Sequence, residues 1–274
     1  MQSLTQHQTL SIDQLRVKAP SIFTADSSER TSHKYQHIST LKVVEGLMGE
    51  GFMPVWATQC RTRIQAKRAY TKHMMRFRHV DAQANHNGLY PELVLINSHD
   101  GLSSYRLMAG VYRMVCSNGL IAGNTYNETR VRHQGDIVGK VIEGTYEVMK
   151  ESALLIDSAQ TMTDIVLNSD EKRIFAEAAH QLKFDGGENN QSQAIEPLKI
   201  LRPRRYQEND KHDLFTTFNI AQENLIKGGL SGWGRDANNR VRRVTTREVK
   251  SIDQSTALNR ALWTLAEKMA ELKR

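Results

Sequence analysis

The sequence predicts an α+β fold, with an antiparallel β-sheet of hairpins in the N-terminal half packed with helices, and a helical C-terminal half. Up to Leu107, apolar and polar residues alternate with the period of two that is typical of half-buried strands. From Val138 onward, apolar residues recur with helical spacing. Early strands followed by late helices favour this class over a doubly wound parallel sheet.

Several elements of the N-terminal half can be assigned in order. Ser39 or Thr40 is expected to cap a short helix, which Gly49 and Gly51 end. The patterns that follow predict strands at 55–64, 73–80, 103–107 and 128–132, and the continuous apolar run at 93–96 predicts a central buried strand. Between the last two, the spacing of Val111, Met114 and Val115 predicts a helix closed by Asn118 and Gly119.

The C-terminal half is predicted to be helical. Residues 138–167 form one long helix or two short ones broken near residues 157–160. Ser169 is expected to cap a helix that runs to about Phe184, with two acids in its first turn. Further helices are predicted at 213–227, stopped by glycines, and at 255–272.

Composition shifts divide the chain into four expected segments. Residues 1–32 are predicted to be a polar, flexible arm, with short structure around residues 12–17 as an alternative, and residues 33–184 an α+β core domain. Residues 185–206 are predicted to be a linker or exposed loop. The helical C-terminal region, 207–274, is expected to contain a mobile basic loop at 228–250.

The composition also excludes some classes of protein. The chain has 274 residues, of which 39% are hydrophobic, enough for a core. Cys60 and Cys116 lack CxxC spacing, which argues against a disulfide framework or a zinc knuckle and favours a reducing cytoplasm. The sequence has no apolar run of eighteen residues and no signal-like segment, so we expect a cytoplasmic protein without a membrane partner.

The distribution of charge is more informative than the formal net charge of +7. Residues 51–80 contain seven Lys and Arg but no Asp or Glu, whereas residues 141–190 are strongly acidic. Solvated surfaces normally mix both signs, so an acid-free stretch of this length indicates a surface for a polyanion.

Strand periodicity turns this charge excess into a predicted surface. Arg61 and Arg63 should point the same way on one strand, as should Arg76 and Arg78 on the next. A second basic region surrounds Trp233 in the late loop. The candidate nucleic-acid-binding residues are Arg61, Arg63, Lys67, Arg68, Lys72, Arg76, Arg78, Arg130, Arg132, Trp233, Arg235, Arg240, Arg242 and Arg243.

Two tryptophans are candidates for stacking on unpaired bases. Trp56 stands at the start of a predicted strand, and large aromatic residues there usually belong to the core. Trp233 lies between glycines in the basic loop and is the better candidate for stacking.

The sequence shows no pattern that predicts catalysis. His33 and His37 have i,i+4 spacing but no acidic or cysteine partner nearby, and the sequence around His99 is typical of a turn. P-loop, GxSxG and HExxH patterns do not occur. We therefore predict a protein that is not an enzyme, with no catalytic residues, metal or cofactor, although scattered acids leave a nuclease as a further possibility.

Two segments carry a resemblance to a known family. The run PELVLINSHDG at 91–101, continued by residues 104–107 and 115–120, resembles the core of the YfjQ/YafZ-like, phage/plasmid-like proteins. Asn219, Glu223 and LNRALW at 258–263 resemble the C-terminal pattern of the same family. The resemblance covers roughly residues 35–270 and implies a mobile-element protein with a domain of unknown function and no assigned site residues.

A second likeness concerns architecture. A short helix, a Gly-Phe-x-Pro-Val-Trp entry into a strand, basic hairpins and a following helix are similar in order to the Redβ/Erf-type single-strand annealing proteins. Our first hypothesis is therefore a mobile-element DNA-binding protein that binds or anneals single-stranded DNA in recombination. It would use a cationic sheet face and the basic loop, in a homo-oligomeric ring or filament.

The alternative is an interaction protein whose basic surface binds an acidic host defence or replication protein. Steeply salt-dependent, sequence-independent DNA binding would favour the first hypothesis, and no binding at low salt would favour the alternative.

Overall fold

The computed structural model describes residues 9–24, 39–85, 88–100, 103–113, 119–121, 128–132, 135–184, 194–235 and 238–273. It confirms the α+β class. The chain forms two compact units, unit 1 with residues 1–122 and 126–156, and unit 2 with residues 123–125 and 157–274. The division falls between Ile156 and Asp157, inside a helix, whereas the sequence placed a linker at 185–206.

Within the described residues of unit 1, six strands form one antiparallel sheet in the order β1-β2-β3-β4, with β5 and β6 both pairing the far edge of β4. The strands are β1 (Phe52–Gln59), β2 (His73–His79), β3 (Leu89–Asn97), β4 (Tyr105–Arg113), β5 (Gly119–Ile121) and β6 (Thr129–Val131). The longest ladder joins β3 to β4, so apolar residues of β3 such as Leu93 and Leu95 are fully buried at the centre.

Two sequence-based assignments in this sheet are wrong. β1 ends at Gln59, so Arg61 and Arg63 lie in the following connection and not on a strand. Val111 belongs to β4, where it pairs with Pro91, and not to a helix. Three apolar residues are too short a pattern to fix a period, and sheet pairing decides the outcome. Residues 114–118 of that expected helix lie outside the described residues.

Three helices belong to unit 1 in whole or in part: α1 (Ile12–Lys18), α2 (Thr40–Gly49) and α3 (Ile137–Asp164), which is one continuous helix. Two glycines permit close helix packing. A Cβ on Gly46 of α2 would lie 2.8 Å from Val138 Cγ1, and one on Gly144 of α3 would lie 3.0 Å from Leu107 Cδ1 on β4. The helices therefore approach each other and the sheet at distances that a larger residue would not allow.

Part of the expected polar arm is structured. Ser11 caps α1 in a capping box, and a 3₁₀ turn follows at Pro20–Phe23. Leu15 and Ile22 are completely buried, and the amide of Leu10 donates to Pro54 O of β1 at 2.6 Å. A few apolar residues at helical spacing thus dock this segment, although its overall composition is polar.

Unit 2 contains three further helices, one β-hairpin and two 3₁₀ turns among its described residues. These are α4 (Ser169–Phe184), turns at Pro197–Leu201 and Tyr206–Glu208, α5 (Leu214–Lys227), β7 (Ser231–Arg235), β8 (Val241–Thr245) and α6 (Ile252–Leu272). Phe218 of α5 meets Trp263 of α6 edge to face at 5.6 Å, and both are fully buried in the core.

The start of α5 agrees with the sequence-based prediction, whereas the cap of α4 differs from it. The helix predicted at 213–227 does begin there, with Asp213 as the cap of α5, whose side chain accepts from the amide of Thr216. At α4 the cap is Asn168, one residue before the predicted Ser169. Asn168 and Glu171 exchange side-chain to backbone hydrogen bonds of 2.8 and 2.9 Å, which is a reciprocal capping arrangement.

The expected mobile loop at 228–250 contains an ordered hairpin. β7 and β8 pair from Ser231 with Thr245 to Arg235 with Val241. β8 supplies the β-branched residues Val241, Val244 and Thr245, but the many arginines and glycines of the segment hide this strand signal in the sequence. Among the described helices, none has both the length and the apolar composition that crossing a bilayer demands.

Candidate nucleic-acid interface

One face of the hairpin in unit 2 carries an exposed aromatic residue between arginines. Trp233 lies directly opposite Arg243, and Arg235 follows two residues later on the same strand. Opposite residues of an antiparallel pair project to one side, as do residues two apart, so these three side chains share a face. Trp233 is 69% exposed, and both arginines are exposed. We call this set the Trp233 face.

The opposite side of the hairpin is packed. A Cβ on Gly232 would lie 1.7 Å from the carbonyl oxygen of Ala194, so no side chain fits there. Arg242 is opposite Gly234 and thus points to this second side, while Arg240 precedes β8 next to Asn239. The predicted arginines of this region are therefore all exposed, but they do not form a single surface.

The base of the hairpin is fixed to the end of α5. Gly228 has φ +67°, and a Cβ there would lie 2.5 Å from the carbonyl carbon of Arg247. The amide of Gly229 donates to Thr246 O, and the amide of Thr246 donates to Leu230 O, both at 2.8 Å. The Trp233 face is consequently held on a rigid support.

In unit 1, the link between β1 and β2 forms an exposed basic segment. We call residues 60–72 the basic connector; its ends are joined by a bond from Cys60 N to Lys72 O of 2.8 Å. Four of its cations are exposed, and within the described part of the chain none of the four forms an ion pair. They are Arg61, Arg63, Lys67 and Arg68, whereas Lys72 is half-buried.

The basic connector is anchored on both sides. Gln59 Oε1 accepts from the amide of Ser21 at 2.9 Å, and the hydroxyl of Thr24 donates to Ala69 O. The amide of His99 donates to Tyr70 O at 3.3 Å. These bonds hold the ends of the connector and leave its cations toward solvent.

The predicted cationic sheet face is wrong. Arg76 and Arg78 do share a face of β2, but they are only 8% and 5% exposed. Between them lies Glu92 of β3, which accepts from Arg78 Nη2 at 2.8 Å and lies 3.4 Å from Arg76 Nε. Burial raises the pKa of Glu92, and the two guanidinium groups oppose that rise. This pair of arginines is an internal ion cluster and not a surface for a polyanion.

Aromatic rings complete this ion cluster. The guanidinium carbon of Arg78 lies 3.9 Å from the centroid of Tyr90, and that of Arg76 lies 5.2 Å from Trp56. Trp56, expected in the core, is half-buried. Its ring is engaged by an arginine, so it is not a free stacking platform.

Arg130 is also paired with an acid. Its Nε lies 2.5 Å from Glu128, whose carboxylate accepts two further bonds from Arg106 at 2.9 and 3.0 Å. Burial opposes ionisation of Glu128, but the bonds from Arg106 and Arg130 hold its pKa below the ordinary value. Arg132 is exposed, with no ion pair among the described residues. Of this predicted pair, Arg132 alone keeps a cation available at the surface of unit 1.

The sequence did not reveal the acids that pair with these arginines. Glu92 stands one residue before the apolar run Leu93 to Ile96, and Glu128 stands just before β6. A lone acid in or beside a buried strand is the signal that could have revealed an internal ion pair, because a buried carboxylate needs a partner.

A buried histidine cluster is another feature that the sequence did not reveal. Thr40 Oγ1 lies 3.0 Å from Nε2 of both His73 and His99 and accepts from Asn97 Nδ2 at 3.1 Å. Ser21 Oγ lies 3.0 Å from His73 Nδ1. All five side chains are completely buried, so the cluster is closed to any substrate. Over the described ranges, no three His, Cys, Asp or Glu side chains are grouped as metal ligands.

Comparisons with known proteins identify a family and two similar proteins. A family model described as "Domain of unknown function (DUF932)" matches residues 28–263. UPF0380 protein YfjQ and UPF0380 protein YafZ, both from Escherichia coli (strain K12), are each 42% identical to the chain over 248 residues. These alignments cover 90% of the chain and 87% of each relative. No solved structure gives a significant match.

Proposed function

The chain belongs to the DUF932 family, and we propose that it is a DNA-binding protein that engages single strands. The observation that carries the proposal is the Trp233 face, where a tryptophan that is 69% exposed lies opposite Arg243 and beside Arg235. An indole ring stacks on a base for about 1–3 kcal/mol, whatever the base. The flanking arginines suit phosphate groups, which they bind through planar paired donors.

A single strand suits this surface better than a duplex. Stacking on Trp233 requires a base that is not already stacked between its neighbours, and single-stranded DNA offers such bases at little energetic cost. The hairpin is fixed at its base by Gly228 and Gly229, so the strand that carries the ring need not be ordered on binding.

The basic connector supports the proposal from unit 1. Four exposed cations without acidic partners in the described residues attract any polyanion and release counterions from it on binding. This contribution is independent of sequence and weakens with salt. It therefore adds affinity and association rate, while the Trp233 face adds preference for unpaired bases.

We extend the proposal to annealing in the recombination of a mobile element, with subunits assembled side by side. What supports assembly is the separation of charge along the chain, since residues 141–190 carry ten acids against four bases whereas the basic connector has cations and no acid. Opposite charges on different surfaces of one chain can meet between copies. Light scattering with and without oligonucleotide tests this extension, and a monomer under both conditions would overturn it.

The central test is fluorescence anisotropy with labelled single-stranded and double-stranded oligonucleotides. Trp233→Ala should weaken single-strand binding about tenfold, because alanine has no ring on which a base can stack. Tyr206→Ala is the matched control, since Tyr206 is an 86% exposed aromatic residue of the same unit that lies outside the Trp233 face. Equal weakening by both variants, or no binding of DNA at low salt, would contradict the proposal. The latter result would favour an acidic protein partner.

A further inference from the structure

A cavity of about 560 Å³ lies beside the hairpin, wholly within unit 2. Four cationic residues and Trp233 contribute to its wall, and none of the described residues that line it is acidic. The four cations are Lys199, Arg202, Arg204 and Arg243. Of these, the sequence predicted only Arg243 as a binding residue, because the other three precede the hairpin, which begins at Ser231, by 27 to 32 residues.

One buried amide organises half of this wall. Asn224 of α5 is 2% exposed, and its Nδ2 donates to Ile200 O at 2.8 Å and to Arg202 O at 2.9 Å. Its Oδ1 accepts from Arg204 Nε at 2.6 Å. Arg204 also donates to Gly228 O, at the start of the hairpin. The backbone that carries Arg202 and the guanidinium of Arg204 are thus fixed before any ligand arrives.

Ser231 at the start of β7 holds the other two cations. Its carbonyl accepts from Lys199 Nζ at 3.4 Å, and its hydroxyl accepts from Arg243 Nη2 at 3.3 Å. Both acceptors are neutral and both bonds are long. Lysine carries three donors and arginine five, so most of their hydrogen-bonding capacity stays available to a ligand.

Four cations around one cavity repel one another. The acceptors that hold Lys199, Arg204 and Arg243 in place are the neutral oxygens of Ser231, Asn224 and Gly228. An anion in the cavity would remove this repulsion and satisfy the remaining donors at once. The volume is within the range of sites for small molecules, about 300–1,000 Å³.

We propose that this cavity binds the phosphate group of a nucleotide, whose base stacks on Trp233. The inference deepens the proposed function and rests on it for the source of the nucleotide, a DNA strand. Guanidinium groups such as those of Arg202 and Arg243 bind phosphate oxygens in pairs, and the ammonium of Lys199 adds a point charge. A free nucleotide has the same chemistry, so the experiment distinguishes the two sources.

The first arm of the experiment measures the affinity of the full chain for a deoxynucleoside monophosphate and for the same nucleoside without phosphate, by calorimetry. The monophosphate should bind at least about tenfold more tightly, because the cavity supplies charge-assisted bonds only to phosphate. Quenching of Trp233 fluorescence should accompany binding. Equal affinity for the nucleoside would overturn the proposal.

The second arm uses variants. Arg202→Ala and Arg243→Ala should each weaken monophosphate binding about tenfold. Arg247→Ala is the matched control, because Arg247 is an exposed arginine beside the same hairpin that does not line the cavity and is not a predicted binding residue. Thermal melting shows whether each variant is folded, and a folded Arg243→Ala chain with wild-type affinity would overturn the assignment.

The third arm is competition between the monophosphate and a single-stranded oligonucleotide. If the monophosphate and the oligonucleotide displace each other, a DNA strand is supported as the source of the nucleotide that the cavity binds. Oligonucleotide binding that is insensitive to saturating monophosphate and to Arg202→Ala overturns the cavity proposal and leaves the proposed function standing. Binding of the monophosphate without any oligonucleotide binding supports the cavity with a free nucleotide and overturns the proposed function. If neither ligand binds, both proposals fall.

Discussion

Arg78 of β2 donates a hydrogen bond of 2.8 Å to Glu92 of β3, and the two side chains are 5% and 1% exposed. The same carboxylate lies 3.4 Å from Arg76. The fold therefore divides the acid-free stretch of the sequence into a buried part on β2, where two arginines share one carboxylate, and an exposed part in the basic connector. Of these two parts, only the basic connector presents its cations to a ligand.

Glu92→Gln should destabilise unit 1 by about 3–5 kcal/mol, because two buried guanidinium groups lose their countercharge. Urea denaturation measures the free energy of unfolding. The control is Asp170→Asn, since Asp170 is 82% exposed in its ion pair with Arg173 and should matter by less than about 1 kcal/mol. Equal stability of the two variants would show that Glu92 does not hold the internal cluster.

Neutralising part of the basic connector should reduce the salt dependence of DNA binding. For Arg61→Gln with Arg63→Gln, the slope of log affinity against log salt should fall by about 0.7 for each phosphate that the variant no longer neutralises. The matched double variant is Arg173→Gln with Lys268→Gln, because both residues are exposed and already paired with acids. An identical slope for wild type and connector variant would remove the connector from the interface.

Acid should weaken unit 2 through Glu223. Burial opposes its ionisation, but the bidentate bond from Arg205 and a bond from Lys227 hold its pKa below the ordinary value of 4.5. A lowered folded-state pKa stabilises the fold above the unfolded-state value, and that contribution is lost as pH falls through the folded-state value.

The measurement is the melting temperature of wild type and Glu223→Gln from pH 7 downward. The melting temperature of the wild type should exceed that of Glu223→Gln by a constant amount near neutral pH. This difference should shrink below about pH 4.5. An advantage that stays the same at every pH would show that ionised Glu223 does not contribute.

The buried cluster around Thr40 constrains the tautomers of two histidines. Thr40 accepts from Asn97, and its hydroxyl has one proton and one lone pair left for His73 and His99. One neutral imidazole must therefore donate through Nε2 and the other must accept there. Nitrogen NMR at neutral pH should show two different tautomers, and two identical ones would contradict this hydrogen-bond arrangement. Thr40→Val removes the shared hydroxyl, so the two histidines should no longer be required to adopt different tautomers.

Local features of the fold were predictable from the sequence, whereas pairings across the fold were not. The helical pattern that begins at Asp213 predicts the start of α5. The alternation along residues 73–80 places Arg76 and Arg78 on one face of β2. Whether that face is open depends on Glu92, which only strand register brings beside them. Periodicity gives the side on which a residue lies, but not what lies opposite.

The same reason explains the incomplete prediction of the candidate site. Trp233 between glycines in a basic segment was recognisable, and its exposure agrees with that expectation. The cavity beside it needs Lys199, Arg202 and Arg204, which α5 and its buried Asn224 bring to the hairpin. Pairings over twenty or more residues leave no periodic trace in a single sequence.

Asn224 joins the cavity wall to α5, whose apolar side forms the core of unit 2. The wall and the core should consequently melt together. A ligand that binds only the folded state raises its melting temperature in proportion to the logarithm of ligand concentration over Kd once that ratio is large. A simple heating curve can therefore report occupancy of the cavity, and a collection of phosphorylated compounds can be screened against the chain without a label or an assay of activity.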